Sequence, residues 1–110
     1  MKTVTIGDIA IANDRPFVLI AGPCQIEGLD HARQMAERIA KVTQASGIQW
    51  IYKSSYDKAN RSSVDAKRGV GMDEGLRVLE TIKREFGVPV LTDVHAADHC
   101  ASAAEVVDVL

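Results

Sequence analysis

The segment Lys58-Ala59-Asn60-Arg61-Ser62-Ser63 holds the densest set of reactive and recognition groups in the chain. It follows Lys53-Ser54-Ser55-Tyr56-Asp57, so lysines, an arginine, an amide and several hydroxyls lie within a dozen residues. Arginine offers phosphate a planar two-pronged donor, and lysine offers a mobile point charge. Hydroxyls and the amide both donate and accept, which suits a polyhydroxylated ligand. The combination points to a phosphorylated, carboxylated or sugar-like substrate. The plain alternative for such a run is a solvated basic loop.

Placement of this segment favours the first reading. The apolar stretch Ile48-Gln49-Trp50-Ile51-Tyr52 before it reads as a strand. Two further apolar runs, Phe17–Ala21 and Val88–Leu91, read as strands buried on both faces. Each ends in residues with chemistry: Cys24 after the first, and Thr92-Asp93-Val94-His95 after the other. Between the strands, Ala32, Met35, Ala36, Ile39 and Ala40 recur at helical spacing, as do Leu76, Leu79, Ile82 and Phe86. Asp30 is the expected N-cap of the first helix, and Gly47 and Gly87 are the expected stops. A short alanine-rich helix is expected over Asp98–Ala104, and Val106–Leu110 begins a further strand. Ahead of all this, Val4 to Ile11 alternates around Gly7-Asp8, the pattern of a hairpin with a glycine-first two-residue turn.

A hairpin followed by β-α-β-α-β-α-β predicts an α/β protein with a parallel sheet. In such sheets the side chains just past the C-terminal strand ends converge on one face, where sites form. Three polar clusters fall there. A closed (β/α)8 TIM barrel takes about 250 residues. The 110 residues supply a hairpin and roughly three and a half β/α units, ending in the apolar Val109-Leu110. The expectation is therefore a single domain over residues 1–110 that is the N-terminal portion of a truncated barrel.

Composition narrows the partners. Net charge is −2, so no global field favours nucleic acid or an anionic membrane. No apolar run approaches the roughly 20 residues of a membrane span, and Met1–Thr5 opens no signal peptide. Cytoplasmic residence follows as the expectation. Cys24 and Cys100 are then not expected to pair, and their spacing matches no zinc-finger pattern.

Several of these residues carry a family likeness. Ala21-Gly22-Pro23-Cys24-Gln25-Ile26-Glu27 resembles the first-strand motif of the phosphoenolpyruvate-dependent aldol-type synthases. These comprise the heptulosonate 7-phosphate (DAHP) synthases and the 3-deoxy-D-manno-octulosonate 8-phosphate (KDO8P) synthases. Tyr52–Ser63 resembles the second-strand signature of the KDO8P synthases, and Leu91-Thr92-Asp93-Val94-His95 their third-strand motif. Ile6–Asp8 and Ala12–Phe17 resemble their N-terminal hairpin.

The resemblance implies a transferase that condenses phosphoenolpyruvate with D-arabinose 5-phosphate and water, in lipopolysaccharide biosynthesis. It implies Lys58 as the catalytic cation between the two substrates. Arg61 and Ser62 would grip the pentose phosphate, Asn60 and Asp93 its hydroxyls and carbonyl end, and Lys53 and Ser55 the phosphoenolpyruvate. Asp93 has a plain alternative as a helix N-cap, and Lys53 as a snorkelling strand-end lysine. His95, two residues from Asp93, is expected on the same side and is a candidate supporting partner. His31 is expected at the surface, His99 in a structural role and Cys100 in packing.

Cys24 read alone is a small apolar filler. By resemblance it marks the metal-requiring class and is one ligand of a divalent transition metal, with no organic cofactor implied. A homotetramer is likewise implied for full-length members. The residues present are expected to be inactive alone, since much of the barrel wall would be missing. The alternatives are a heptulosonate synthase acting on erythrose 4-phosphate, and a non-catalytic interaction fragment.

Overall fold

The computed structural model describes residues 2–57 and 70–110. It is a mixed α/β structure. A hairpin of β1 (Val4–Ile6) and β2 (Ile9–Ile11) pairs antiparallel, Val4 opposite Ile11. Gly7 takes a φ of 56° in its turn, as a glycine-first connection requires. Then come β3 (Val18–Ala21), α1 (Leu29–Ser46), β4 (Gln49–Lys53), α2 (Met72–Phe86) and β5 (Val90–Leu91). A 3-10 turn (Ala97–His99) leads directly into α3 (Cys100–Ala104).

The three longer-range strands form one parallel sheet in the order β3-β4-β5. Leu19 stands beside Trp50, Ala21 beside Tyr52, and Tyr52 beside Val90. These side chains occupy one face and pack with Ala32 and Ala36 of α1 and Leu76, Leu79 and Ile82 of α2. Alternation sends Ile20, Ile51, Lys53 and Leu91 to the opposite face. The strand expected over Val106–Leu110 is not formed: Val106 lies in a turn, and Val109 makes a single parallel bridge to Leu91. There the Asp108 carboxylate accepts the Val90 N–H at 2.9 Å and meets Lys83 Nζ at 3.1 Å.

Four further expectations are corrected. Phe17 and Ile20 are 68% and 51% exposed, so the first long strand is not buried on both faces. It is the edge of the described sheet, and the helices cover only one side of it. Helix α1 starts at Leu29 with Gly28 as N-cap, which puts Asp30 in the first turn. There it opposes the positive helix end rather than capping it. The ladder of β5 begins at Val90 because Pro89 has no N–H, although the Pro89 carbonyl still accepts from Tyr52 N at 3.0 Å. The third helix is divided, with a 3-10 entry ahead of five α residues. Gly47 and Gly87 do end their helices, with φ of 67° and 64°. No helix among the described residues is long and apolar enough to cross a membrane.

Tyr52 carries a testable imbalance. Its ring is fully buried, and its hydroxyl, near Ser54, makes no well-formed hydrogen bond among the described residues. Burial pushes the phenol up to about 12. Below the unfolded value of about 10 both states hold the proton; above it only the unfolded chain ionises, so stability falls as pH rises from about 10 through about 12. Tyr52→Phe removes both costs. We expect a higher Tm at neutral pH and, at pH 11, loss of a destabilisation on the order of 1 kcal/mol. Denaturation at pH 7 and pH 11 followed by circular dichroism checks this. An unaltered alkaline profile in the Phe variant contradicts it.

Candidate active site

Beyond the last ladder bonds, side-chain hydroxyls hold the three strand ends together. Ser54 Oγ donates to the Pro23 carbonyl at 2.6 Å, across the β3–β4 boundary. Thr92 Oγ1 donates to the Ser54 carbonyl at 2.8 Å, across the β4–β5 boundary. Both side chains are fully buried. The chain after β3 then rejoins the one after β4, with Ser55 N donating to Cys24 O and Ile26 N to Ser55 O. Gly22 makes this approach possible. A Cβ there would sit 1.8 Å from the Lys53 carbonyl oxygen.

This frame presents several of the expected residues at one end of the sheet. Lys53 is the last residue of β4, half-buried on the face away from the helices. Its ammonium makes no ion pair with any described residue, which leaves a cation for an anionic ligand. Ser55 is buried, and its hydroxyl is engaged locally: Oγ lies 2.7 Å from the Asp57 carbonyl and 3.2 Å from the Asp57 amide.

Asp93 follows Thr92 directly. Its Oδ2 lies 3.4 Å from His95 Nε2, while Oδ1 is buried with no hydrogen-bond partner among the described residues. The N-cap of the following 3-10 turn is Ala96, so Asp93 does not serve that purpose. His95 Nε2 is also 2.7 Å from the Asp57 carbonyl. A carbonyl oxygen only accepts, so this nitrogen carries the proton. His95 thereby joins the exit of β4 to the exit of β5, with Asp93 beside it.

Lys58, Asn60, Arg61 and Ser62 lie outside the described residues. Their flanks do not: the Tyr56 carbonyl accepts the Gly71 N–H at 3.3 Å, so the chain leaves and returns beside the same residue. Cys24 is exposed in the loop after β3. Among the described residues no three His, Cys, Asp or Glu side chains come together to hold a metal. One thiol does not make a transition-metal centre, so the described donors alone do not fit one.

His31 sits in the first turn of α1, 3.4 Å from Glu27. A cleft of about 520 Å³, lined by Ile9, Thr43, Trp50, Phe86 and Pro89, opens at the other end of the sheet, away from Lys53 and Asp93. Sequence reasoning missed three participants. From the sequence, Ser54 falls among the ligand-binding hydroxyls, Thr92 has no part of its own, and Tyr56 is only a motif residue. Their one sequence signal is a hydroxyl at a strand end, which also fits a ligand contact.

An α/β unit with cationic and acidic groups past the ends of parallel strands is the setting of an enzyme site. The entire chain, residues 1–110, matches the model of the DAHP synthetase I family, and the chain belongs to that family. Among curated proteins it is 56% identical over 109 residues to a 2-dehydro-3-deoxyphosphooctonate aldolase of Rickettsia bellii. It is 54% and 55% identical over the same length to proteins of that name from Rickettsia felis and Rickettsia rickettsii. Each match covers 99% of this chain and 40% of the relative. The chain thus spans about two fifths of the length of the curated relatives it matches.

Proposed function

We propose that this chain is the N-terminal part of a KDO8P synthase, a cytoplasmic (β/α)8 barrel enzyme whose floor is closed by the β1–β2 hairpin. It would condense phosphoenolpyruvate with D-arabinose 5-phosphate and water, giving KDO8P and inorganic phosphate for lipopolysaccharide synthesis. The observation that carries this reading is the 54–56% identity, across nearly the whole chain, to proteins named 2-dehydro-3-deoxyphosphooctonate aldolase. That name favours the octulosonate product over the heptulosonate one. The likeness is to proteins more than twice as long, and a homotetramer of such full-length chains is part of the proposal.

The chemistry accounts for the residue types. C3 of the enol adds to the aldehyde carbon, water adds to C2, and the C–O bond to phosphate then breaks. Two phosphates and a carboxylate repel one another in one pocket, so several cations are needed. Lys53, without an ion-pair partner among the described residues, is one, suited to phosphoenolpyruvate; Lys58 and Arg61 are the others proposed. Lys58 would stabilise the aldehyde oxygen as it becomes negative. Arg61 and Ser62 would hold the pentose phosphate, Asn60 and Asp93 its hydroxyls and carbonyl end, and Ser55 would support the phosphoenolpyruvate side. The Asp93 Oδ1, without a partner among the described residues, supports its part, since a buried acceptor gains from a substrate hydroxyl.

Assay of a protein of the relatives' full length, with both aldose phosphates, tests the reading. Turnover with arabinose 5-phosphate is expected, and preference for erythrose 4-phosphate would end the assignment. Lys58→Ala should lower kcat by roughly 10²-fold. Arg61→Ala should chiefly raise KM for the pentose phosphate. The reverse pattern would exchange their roles.

Cys24 is proposed as one donor to a divalent transition metal, the remaining donors lying beyond those described. Thiolate favours the softer, later ions over Mg2+. The full-length protein should then contain such a metal by elemental analysis and lose it, with its activity, to a strong chelator. Cys24→Ser should weaken metal retention. Full activity in protein shown to be metal-free would leave Cys24 a packing residue and the reaction assignment intact.

A further inference from the structure

Tyr56 joins three elements through a contact that the proposed chemistry does not use. It is 2% exposed, and its Oη lies 2.9 Å from His99 Nδ1, one hydrogen bond in either imidazole tautomer. Its ring stands edge-on to His95, with centroids 6.0 Å apart, and tilted against His99 at 5.9 Å. On its other side it is pressed onto the first turn of α2. A Cβ at Gly75 would lie 2.4 Å from the Tyr56 Cβ, so only glycine allows the approach. Its carbonyl accepts the Gly71 N–H. Burial raises the Tyr56 phenol, with Asp93, Asp57 and Cys100 acting the same way and the His95 backbone opposing, so the hydroxyl keeps its proton at neutral pH.

A phenylalanine would fill the same space between Gly75 and the two histidines. What the hydroxyl adds is the bond to His99, at the end of the 3-10 turn that carries on from Asp93 and His95. We propose that Tyr56 and His99 are positioning residues, whose hydroxyl–imidazole bond holds His95 on the Asp57 carbonyl and so fixes the Asp93 carboxylate relative to Lys53. The inference rests on the reaction assigned above. Asp93 is the aldose-side group and Lys53 the phosphoenolpyruvate-side group, and the two halves of the site should respond differently.

Steady-state kinetics and hydrogen exchange on the full-length protein test it. Tyr56→Phe and His99→Ala should each raise KM for arabinose 5-phosphate by about three- to tenfold, the range of one lost hydrogen bond. KM for phosphoenolpyruvate and kcat should change less than about twofold on the same scale. The double variant should lose no more than either single one, as two ends of one bond require. His99→Asn, whose side-chain amide can take the place of Nδ1, should restore the wild-type value. The Gly71 amide, bonded to the Tyr56 carbonyl, should exchange faster in Tyr56→Phe and His99→Ala. An unchanged aldose KM in Tyr56→Phe, additive losses in the double variant, or His99→Asn as impaired as His99→Ala overturns the proposal. If the wild type fails to use arabinose 5-phosphate, the reaction assignment falls. Gly71 exchange then decides the positioning bond by itself: faster exchange in both variants upholds it, and unchanged exchange overturns it.

Discussion

Everything at the chemical end of this fold hangs on two buried hydroxyls. Regular pairing in a parallel sheet stops where the strands diverge into loops, and the carbonyls just past that point still need donors. Ser54 and Thr92 supply them, one to Pro23 and one to Ser54 itself, so the three strand ends stay in line beyond their ladders. A buried carbonyl left without a donor costs about 1–3 kcal/mol, so each bond resists local opening. Lys53 comes immediately before this pair of bonds, Ser55 immediately after Ser54, and Asp93 immediately after Thr92. Lys53, Ser55 and Asp93 are therefore each one peptide unit from a residue of this buried hydrogen-bonded pair.

Charge is distributed accordingly. On the helix side and at the far end of the sheet, two ion pairs tie elements together. Arg33 grips Glu85 through two bonds of 2.9 and 2.7 Å, which holds the Glu85 carboxyl below its ordinary value, and Lys83 meets Asp108. At the C-terminal strand ends Lys53 has no such partner among the described residues, and neither has one oxygen of Asp93. The Lys53 cation and the Asp93 acceptor lie where the parallel topology collects side chains, and the proposed reaction would draw on them. The Tyr56, His95 and His99 cluster rigidifies the same edge without adding net charge by necessity, since neutral imidazoles suffice for both of its hydrogen bonds.

Much of this was legible in the residues. Helical spacing of Leu76, Leu79, Ile82 and Phe86 marked α2, and Gly87 marked its end, because an αL residue after the last turn is cheap only for glycine. The hairpin followed from alternation around Gly7-Asp8. The exposure of Ile20 was not legible, because an apolar run reports a preference for burial and not which neighbour provides it. The cap at Gly28 was hidden for a related reason: Asp30 suits either a cap or a first turn, and both are favourable. In the site, Lys53, Asp93 and His95 stood out by type and by place after a strand. Ser54 and Thr92 did not, since a hydroxyl that closes a ladder and one that binds a ligand look alike in sequence. Contacts such as Tyr56 with His99, 43 positions apart, need the fold before they can be seen.

Replacement of Thr92 by valine in the full-length protein is the most direct measurement of the central claim. Valine keeps the shape and removes the donor to Ser54. If the hydroxyl pair sets the geometry of the site, kcat/KM should fall by about tenfold or more while the loss of stability stays within the roughly 1–3 kcal/mol of one unsatisfied carbonyl. A variant destabilised by that amount yet with wild-type kcat/KM would show that the strand ends hold their positions without these bonds, and would contradict the account.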